Sequence, residues 1–316
     1  MFKPNTSLLL TLLLMPLLNF AQYTDQINSN RPGETMSAFS VGKSVIQLET
    51  GAYGISQKHH LLNYVANGYG IDATLRYGML MEKLEVIADI QYQSQVYEAL
   101  YTKTNQKALK QTILGAKYLL YDPFKNHEKK INVYSWNANR KFSWRQLIPA
   151  VSVFAGANFT SANNPYHFSP NAGISPKVIL ITQNHLGDGT WVFVTNTIAD
   201  YIGTEYPSYG YAVTLTKGFN DKWSGFVENQ GYKSDFYSDA IVRAGAAFLI
   251  TDDLQIDASA SASLKNTPSI FYGGLGFSWR YDGNYNEVRM PVEDPNVLKA
   301  QKRAKKGTKK KKFLIF

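Results

Sequence analysis

Cysteine is absent from the 316-residue sequence, so no disulfide framework can stabilise the protein after export. Long apolar runs are also missing beyond the first 21 residues, since stretches such as 178–181 fall far short of the roughly 20 residues that a transmembrane helix needs. Helical membrane insertion is therefore excluded. Two classes remain: a soluble periplasmic or secreted β protein, and a transmembrane barrel whose apolar residues are hidden in alternation.

Signatures of catalysis are lacking as well. The sequence contains no Gly-x-Ser-x-Gly nucleophile elbow and no glycine-rich phosphate loop. None of the histidines is spaced with carboxylates in the way that metal ligands are. The five histidines are His59, His60, His127, His167 and His185. We therefore predict that the protein is not an enzyme and that it binds no cofactor and no metal.

The first 21 residues have the features of a secretory signal peptide. Lys3 precedes a leucine-rich stretch of about a dozen residues, which is too short to cross the hydrocarbon core, and Ala21 is the small residue that signal peptidase requires. We predict cleavage after Ala21, so that Gln22 begins the mature chain. The alternative is a retained N-terminal anchor helix, against which Pro16 and the shortness of the run argue.

Apolar and polar residues alternate along most of the mature chain, which predicts strands with one apolar and one polar face. In 254–264 every even position is apolar and every odd position is polar. Aromatic residues make up 14% of the sequence, with 21 Tyr and 17 Phe, and favour strands with aromatic girdles at a membrane boundary. We predict an all-β fold, a closed antiparallel transmembrane β-barrel of about twelve strands over residues 43–282.

An even number of strands places both chain ends in the periplasm. The predicted strands are 43–55, 64–79, 83–98, 107–121, 146–160, 170–183, 189–202, 207–218, 222–233, 236–249, 253–264 and 268–282. A count between about ten and fourteen stays open, because Pro176 interrupts the sixth strand and alternation is blurred in the seventh. A soluble β-sandwich would also show alternation, but its apolar faces would have to meet across one core, whereas here aromatic residues cluster at strand ends.

The opening of the mature chain resembles that of a known family. Residues 30–35 read Asn-Arg-Pro-Gly-Glu-Thr, and residues 47–51 read Gln-Leu-Glu-Thr-Gly, similar to the Arg-Pro leader and first strand of the outer-membrane barrels of the phenol meta-degradation pathway type. Further similar segments follow in the expected order at 114–118, 226–228, 254–258 and 274–281. The resemblance spans most of the mature chain and implies an integral outer-membrane barrel that passively transports small, hydrophobic or aromatic solutes.

Two regions are larger than the resemblance implies. One is an insertion near 122–145, predicted to be periplasmic, and the other is the tail 283–316. The Ala-Gln cleavage site and the Lys- and Asn-rich composition resemble those of a Bacteroidota envelope protein. The predicted organisation is thus a signal peptide (1–21), a leader (22–42), the barrel and a tail.

The phase of the predicted strands directs nine charged side chains into the lumen. They are Glu49, Arg76, Glu85, Asp89, Lys117, Glu228, Arg243, Asp257 and Arg280. One interpretation is a polarised pore whose charges orient a permeating solute. The alternative is a network of ion pairs across the lumen that braces the barrel, because unpaired buried charges are costly.

The leader contains Arg31 and Glu34 on the two sides of a Pro-Gly turn. One hypothesis is that they fold into the lumen as a short plug from the periplasmic side. The alternative hypothesis is a plain periplasmic extension.

The tail carries a dense run of positive charge. Its cations are Lys299, Lys302, Arg303, Lys305, Lys306, Lys309, Lys310, Lys311 and Lys312, which equal the whole formal net charge of +9. Such a run repels itself and is predicted to be disordered unless it meets an anionic partner. Periplasmic candidates are anionic lipid headgroups, peptidoglycan or an acidic face of another envelope protein, and nucleic acid is not expected there; a solvated tail without a partner is the alternative.

Two functions follow from these observations. The first is a passive channel embedded in outer-membrane lipid, which the family resemblance implies. The second is a non-transporting subunit of an outer-membrane protein assembly or secretion complex, which would dock partners through the periplasmic insertion and the basic tail.

Overall fold

The computed structural model describes residues 27–124, 134, 144–167, 173–187, 189–235 and 237–283. In these ranges the chain forms strands β1 (Val45–His59), β2 (Tyr64–Gly78), β3 (Leu84–Ala99), β4 (Thr102–Tyr121), β5 (Ala150–Thr160), β6 (Gly173–Leu186), β7 (Trp191–Asp200), β8 (Ser208–Gly218), β9 (Trp223–Lys233), β10 (Ser238–Thr251), β11 (Leu254–Ser263) and β12 (Ser269–Asp282), and a short 3-10 helix (Trp144–Leu147). Each strand pairs antiparallel with its sequence neighbours, and β1 pairs with β12, which closes the barrel. The prediction of a closed barrel of twelve strands is confirmed.

Both ends of the sheet lie at the same end of the barrel, because the number of strands is even. We call this end, where β1 begins and β12 ends, the terminal end, and the opposite one the far end. Within the described ranges no helix is long and apolar enough to cross a membrane.

Several predicted boundaries are wrong at the far end. The predicted connections 56–63 and 99–106 are shorter in the structure, where β1 continues to His59 and β4 already begins at Thr102. The residues after Thr102 pair with the end of β3, although they are polar on both faces, so alternation could not reveal them. At the terminal end β5 begins four residues later than predicted, because the 3-10 helix occupies the preceding residues.

The outward face of the strands is apolar and exposed. In β12 the side chains of Leu275, Phe277 and Trp279 are 43–68% exposed. Ser278 and Arg280, which alternate with them along the strand, are at most 4% exposed. Tryptophans are exposed near the terminal end in β7, β9 and β12, as in the aromatic girdles of outer-membrane barrels. This face suits contact with hydrocarbon.

The inward face is not polar throughout. Buried apolar side chains on β3 to β7 point inward, and they pack with Met36, Ala38 and Phe39 of the leader. The inward cluster contains Ile87, Ile113, Phe154, Ile179, Ile181, Val194 and Ile198. The expectation that only polar neighbours face inward is therefore wrong on this side of the lumen. The physical reason is that these side chains meet the leader instead of water.

Candidate functional site

The described part of the leader runs inside the barrel, and side chains of the wall donate hydrogen bonds to its carbonyl groups. Arg76 Nη1 donates to Asn28 O at 2.8 Å. Lys117 Nζ donates to Ser37 O at 2.7 Å and to Phe39 O at 3.0 Å. Two of the predicted inward cations therefore bind the main chain of the leader.

Inward acceptors bind the amide groups of the same segment. Asn30 N donates to the Glu49 carboxylate at 3.2 Å, and Val41 N donates to Glu85 Oε2 at 2.8 Å. Between these points Ala38 N donates to Gln183 Oε1 at 2.9 Å. The backbone of the leader has few partners of its own, so the wall of the barrel satisfies its polar groups.

One group of predicted lumen charges forms a fully buried network. Arg76 contacts Glu49 at 3.0 Å and Glu85 at 3.2 Å, and Lys117 Nζ contacts Glu85 Oε1 at 2.8 Å. These four side chains are at most 2% exposed. Burial of these charges is tolerable because each has an opposite charge and further hydrogen bonds within reach.

A second group surrounds Glu228, whose side chain is fully buried. Its carboxylate accepts from the amides of Glu34 and Thr35 at 3.0 and 3.2 Å, and from the hydroxyl of Thr214 at 2.8 Å. Arg243 contacts Glu228 at 3.3 Å and Glu34 at 3.0 Å. The leader thus contributes one carboxylate and two amides to this group.

Arg31 of the leader forms a third group with two carboxylates of the wall, one in β2 and one in β11. Its guanidinium contacts Asp72 and lies 3.2 Å from Asp257. Gly51 and Gly276 are directly paired in the sheet, and a Cβ atom on either one would collide with the guanidinium. The two glycines leave the space that the guanidinium occupies, and a larger residue at either position would have to displace it.

Two predicted lumen charges make other contacts. Asp89 is half-buried and accepts from Thr74 at 2.9 Å and from Gln111. Arg280 is buried, and its guanidinium lies 3.9 Å from Asp282.

Sequence reasoning missed several charged residues of the lumen, among them Asp239 of β10. Asp72 binds Arg31, and Lys177 contacts Asp200 at 3.0 Å near Asn158. Asp72 could have been found, because it has the same strand phase as Arg76 in β2. Lys177 stands next to Pro176, in the strand for which alternation was weakest.

A loop at the far end covers the part of β4 that extends beyond β5. Asn164 Nδ2 donates to Leu109 O at 2.6 Å, and the His167 ring contacts Lys110 O. The Tyr201 hydroxyl lies 2.8 Å from His167 Nδ1, and burial lowers the pKa of His167 below its ordinary value. These contacts satisfy carbonyl groups that would otherwise form an open sheet edge.

A cavity of about 680 Å³ lies between part of the leader and the wall formed by β6 to β11. It is lined on one side by leader residues and on the other by side chains that include Val194, Thr216 and Phe226. The leader therefore fills the lumen more completely on the side of β1 to β4 than on the side of β6 to β11.

Some predictions fall outside the described residues. These are the signal peptide, most of the insertion 122–145, and the tail with its cations. In the described ranges no group of three or more histidines and carboxylates could hold a metal ion.

The chain is similar to known proteins in sequence and in fold. Residues 29–281 match the model of the family described as "Putative MetA-pathway of phenol degradation". The chain is similar in structure to an outer membrane channel from Pseudomonas putida F1, with 10% identity, a TM-score of 0.49, and coverage of 81% of this chain and 100% of that chain. None of the curated proteins matches the sequence.

Two further solved structures are similar. The CymD monoaromatic hydrocarbon channel has 11% identity and a TM-score of 0.41, with 77% of this chain and 90% of that chain covered. The NanC porin has 9% identity and a TM-score of 0.45, with 73% and 98% covered. Likenesses at such identities concern the fold only.

Proposed function

We propose, since this chain belongs to the MetA-pathway family of phenol degradation, that it is an outer-membrane channel for small solutes, closed by its own leader in the conformation described above. The observation that carries the proposal is what fills the lumen. Wall side chains suffice to fill a barrel of about eight strands, and a larger barrel leaves space. In this barrel of twelve strands the described leader residues occupy that space at the terminal end.

The contacts of the leader support its role as a removable plug. It is held by hydrogen bonds and ion pairs, which water can replace when the segment leaves, and by the apolar contacts of Met36, Ala38 and Phe39. The Arg31 guanidinium of the leader also fits into the space that Gly51 and Gly276 leave in the wall. The predicted plug of Arg31 and Glu34 is therefore part of the proposal.

Further parts of the proposal concern placement in the envelope. The terminal end faces the periplasm, because both ends of the sheet lie there and outer-membrane barrels of even strand number have periplasmic termini. The signal peptide is cleaved after Ala21, and the protein carries out no catalysis. The cations of 299–312 bind an anionic component of the envelope.

The experiment compares two glycine substitutions in β1 by conductance across planar bilayers. Gly51→Val places a side chain where the Arg31 guanidinium lies, whereas Gly54 faces outward with only a distant neighbour, so Gly54→Val is the matched control. Overpacking costs about 1–3 kcal/mol. We expect Gly51→Val to raise the open probability by about 10- to 100-fold and Gly54→Val to leave it unchanged.

Folding of both variants is checked by the heat-dependent shift of the barrel in gel electrophoresis. If folded Gly51→Val protein conducts no more than the wild type and the Gly54→Val control, the leader does not close a channel and the proposal fails.

A further inference from the structure

The leader is bound unequally on its two sides. On the side of β1 to β4 its carbonyl and amide groups bond to Arg76, Lys117 and Glu85. On the side of β6 to β11 the leader bonds to Gln183 and Glu228, but a cavity of about 680 Å³ remains between the leader and the wall on the terminal side of these contacts. Pockets of about 300–1,000 Å³ are typical of small-molecule sites, and the volume of this cavity lies in that range.

The wall of this cavity combines apolar side chains with neutral polar ones, which include Gln183, Thr214 and Gln255. Val192, Val194 and Phe226 present apolar surface, and Thr216 and Ser224 add hydroxyl groups beside it. Phe39 and His185 border the same space and pack edge to face at 5.8 Å. Aromatic rings therefore line part of the space, and hydroxyl groups are available to orient a ligand.

The charge of the lining indicates which ligands are disfavoured. Among the described lining residues Arg31 carries the permanent charge, and its guanidinium already contacts Asp72 and Asp257. A charged ligand would lose its hydration without gaining a partner ion, which is costly. A neutral molecule with one ring-sized apolar body and one hydrogen-bonding group fits the lining.

We propose that this cavity is a binding site for a small neutral amphiphile and that its occupancy holds the leader in the closed position. The inference rests on the proposed function, because it assigns a regulatory ligand to the plug. Half of the lining belongs to the leader, so the complete site exists only while the leader is docked. A ligand that binds one state alone stabilises that state by mass action.

The cavity lies next to the terminal end. Val192 and Ser224 each stand one residue after the start of β7 and β9, and Ala247 lies near the end of β10. If this end faces the periplasm, the ligand arrives from the periplasm. Solute that accumulates there then slows further entry by closing the channel.

The experiment uses the full chain in lipid nanodiscs, with benzyl alcohol as the probe and benzoate as its charged counterpart. Thr216→Phe fills the cavity, and Ala247→Leu is a second filling variant. The matched control is Leu215→Phe, because Leu215 is next to Thr216 and lies on the opposite face of β8. Calorimetry should show saturable binding of benzyl alcohol, at least about tenfold weaker binding of benzoate, and at least about tenfold loss in Thr216→Phe. Leu215→Phe should bind like the wild type.

The link to the leader is measured by amide hydrogen exchange. With benzyl alcohol at about ten times its Kd, the amides of Glu34 and Thr35, which are bound to Glu228, should exchange about tenfold more slowly. Absence of saturable binding, equal binding by the folded filling variants, or exchange that the probe leaves unchanged would each overturn the inference. Conductance of Gly51→Val is a separate readout, so a channel without this site can be told from a barrel that does not conduct.

Discussion

Replacing Glu228 by glutamine should release the leader while keeping the shape of the side chain. The Glu228 carboxylate accepts hydrogen bonds from the amides of Glu34 and Thr35 and from the Thr35 hydroxyl. A hydrogen bond to a charged group contributes about 1.5–3 kcal/mol. All three bonds end on Oε2, so a glutamine oxygen at that position still accepts them, but as neutral bonds of about 0.5–1.5 kcal/mol each. The loss of about 1 kcal/mol for each bond costs the docked leader about 3 kcal/mol.

A loss of this size changes the ratio of docked to released leader by about 100-fold, since each 1.4 kcal/mol is a factor of ten. Amide hydrogen exchange measures the ratio directly, because the Glu34 and Thr35 amides exchange when the segment opens. We expect their protection to fall by about that factor in Glu228→Gln. Arg243 keeps its contact with Glu34 at 3.0 Å, so it is not left without a partner.

The matched control is Asp239→Asn. Asp239 is a buried inward carboxylate of β10 that accepts from the Tyr237 hydroxyl and from Ala240 N at 2.7 Å, with no leader atom among these partners. Its substitution should leave the leader amides protected. The reasoning is refuted if Glu228→Gln leaves protection within about threefold of the wild type, or if both substitutions lower it equally.

Three further predictions concern the barrel, its far-end loop and its tail. Lys117→Met should lower the free energy of unfolding by about 3–5 kcal/mol, because it removes one of the partners of the buried Glu85 carboxylate. The control Lys103→Met, at an exposed ion pair, should cost less than about 1 kcal/mol. Urea unfolding, followed by the gel shift, compares the two variants. Burial lowers the pKa of His167 from 6.5, so the anchoring by its neutral ring is present above the unfolded pKa and is lost as the pH falls through the lowered folded value. Protection of the amides of loop 161–167 against hydrogen exchange should therefore fall as the pH drops below 6.5, and no such step should occur in His167→Phe. Deleting 299–316 should weaken binding to vesicles with anionic headgroups without changing the unfolding midpoint, and unchanged vesicle binding would reject a lipid partner for the tail.

The lumen charges show which part of the site can be predicted from the alternation of side chains along each strand. Side chains alternate between two faces with a period of two, so residues such as Arg76 and Glu228 are assigned to the inside once a strand is recognised. Their partners are not assigned in this way. The contact of Arg31 with Asp257 joins residues that lie 226 positions apart, and it exists only because β1 and β12 close the barrel around the leader.

Predicted strand boundaries are wrong where the local sequence pattern disagrees with the pairing of strands in the sheet. Residues 102–106 are polar on both faces, yet they pair with β3, because a hairpin can extend a sheet beyond the part that needs an apolar face. Ile87 points inward although the phase of β3 was assigned to polar residues. It packs with the leader cluster, which no property of β3 alone could indicate.

By itself the sequence determined that apolar and polar faces alternate, that about twelve strands can close on each other, and that charges such as Arg76 and Glu228 turn inward, because these properties depend on neighbours along the chain. Only the tertiary structure decided that the leader lies in the lumen, that its amides and carbonyls bond to Glu228 and Lys117, and that a cavity of about 680 Å³ remains beside it. Those features depend on distances across the closed barrel, and such distances are set by curvature and closure of the whole sheet.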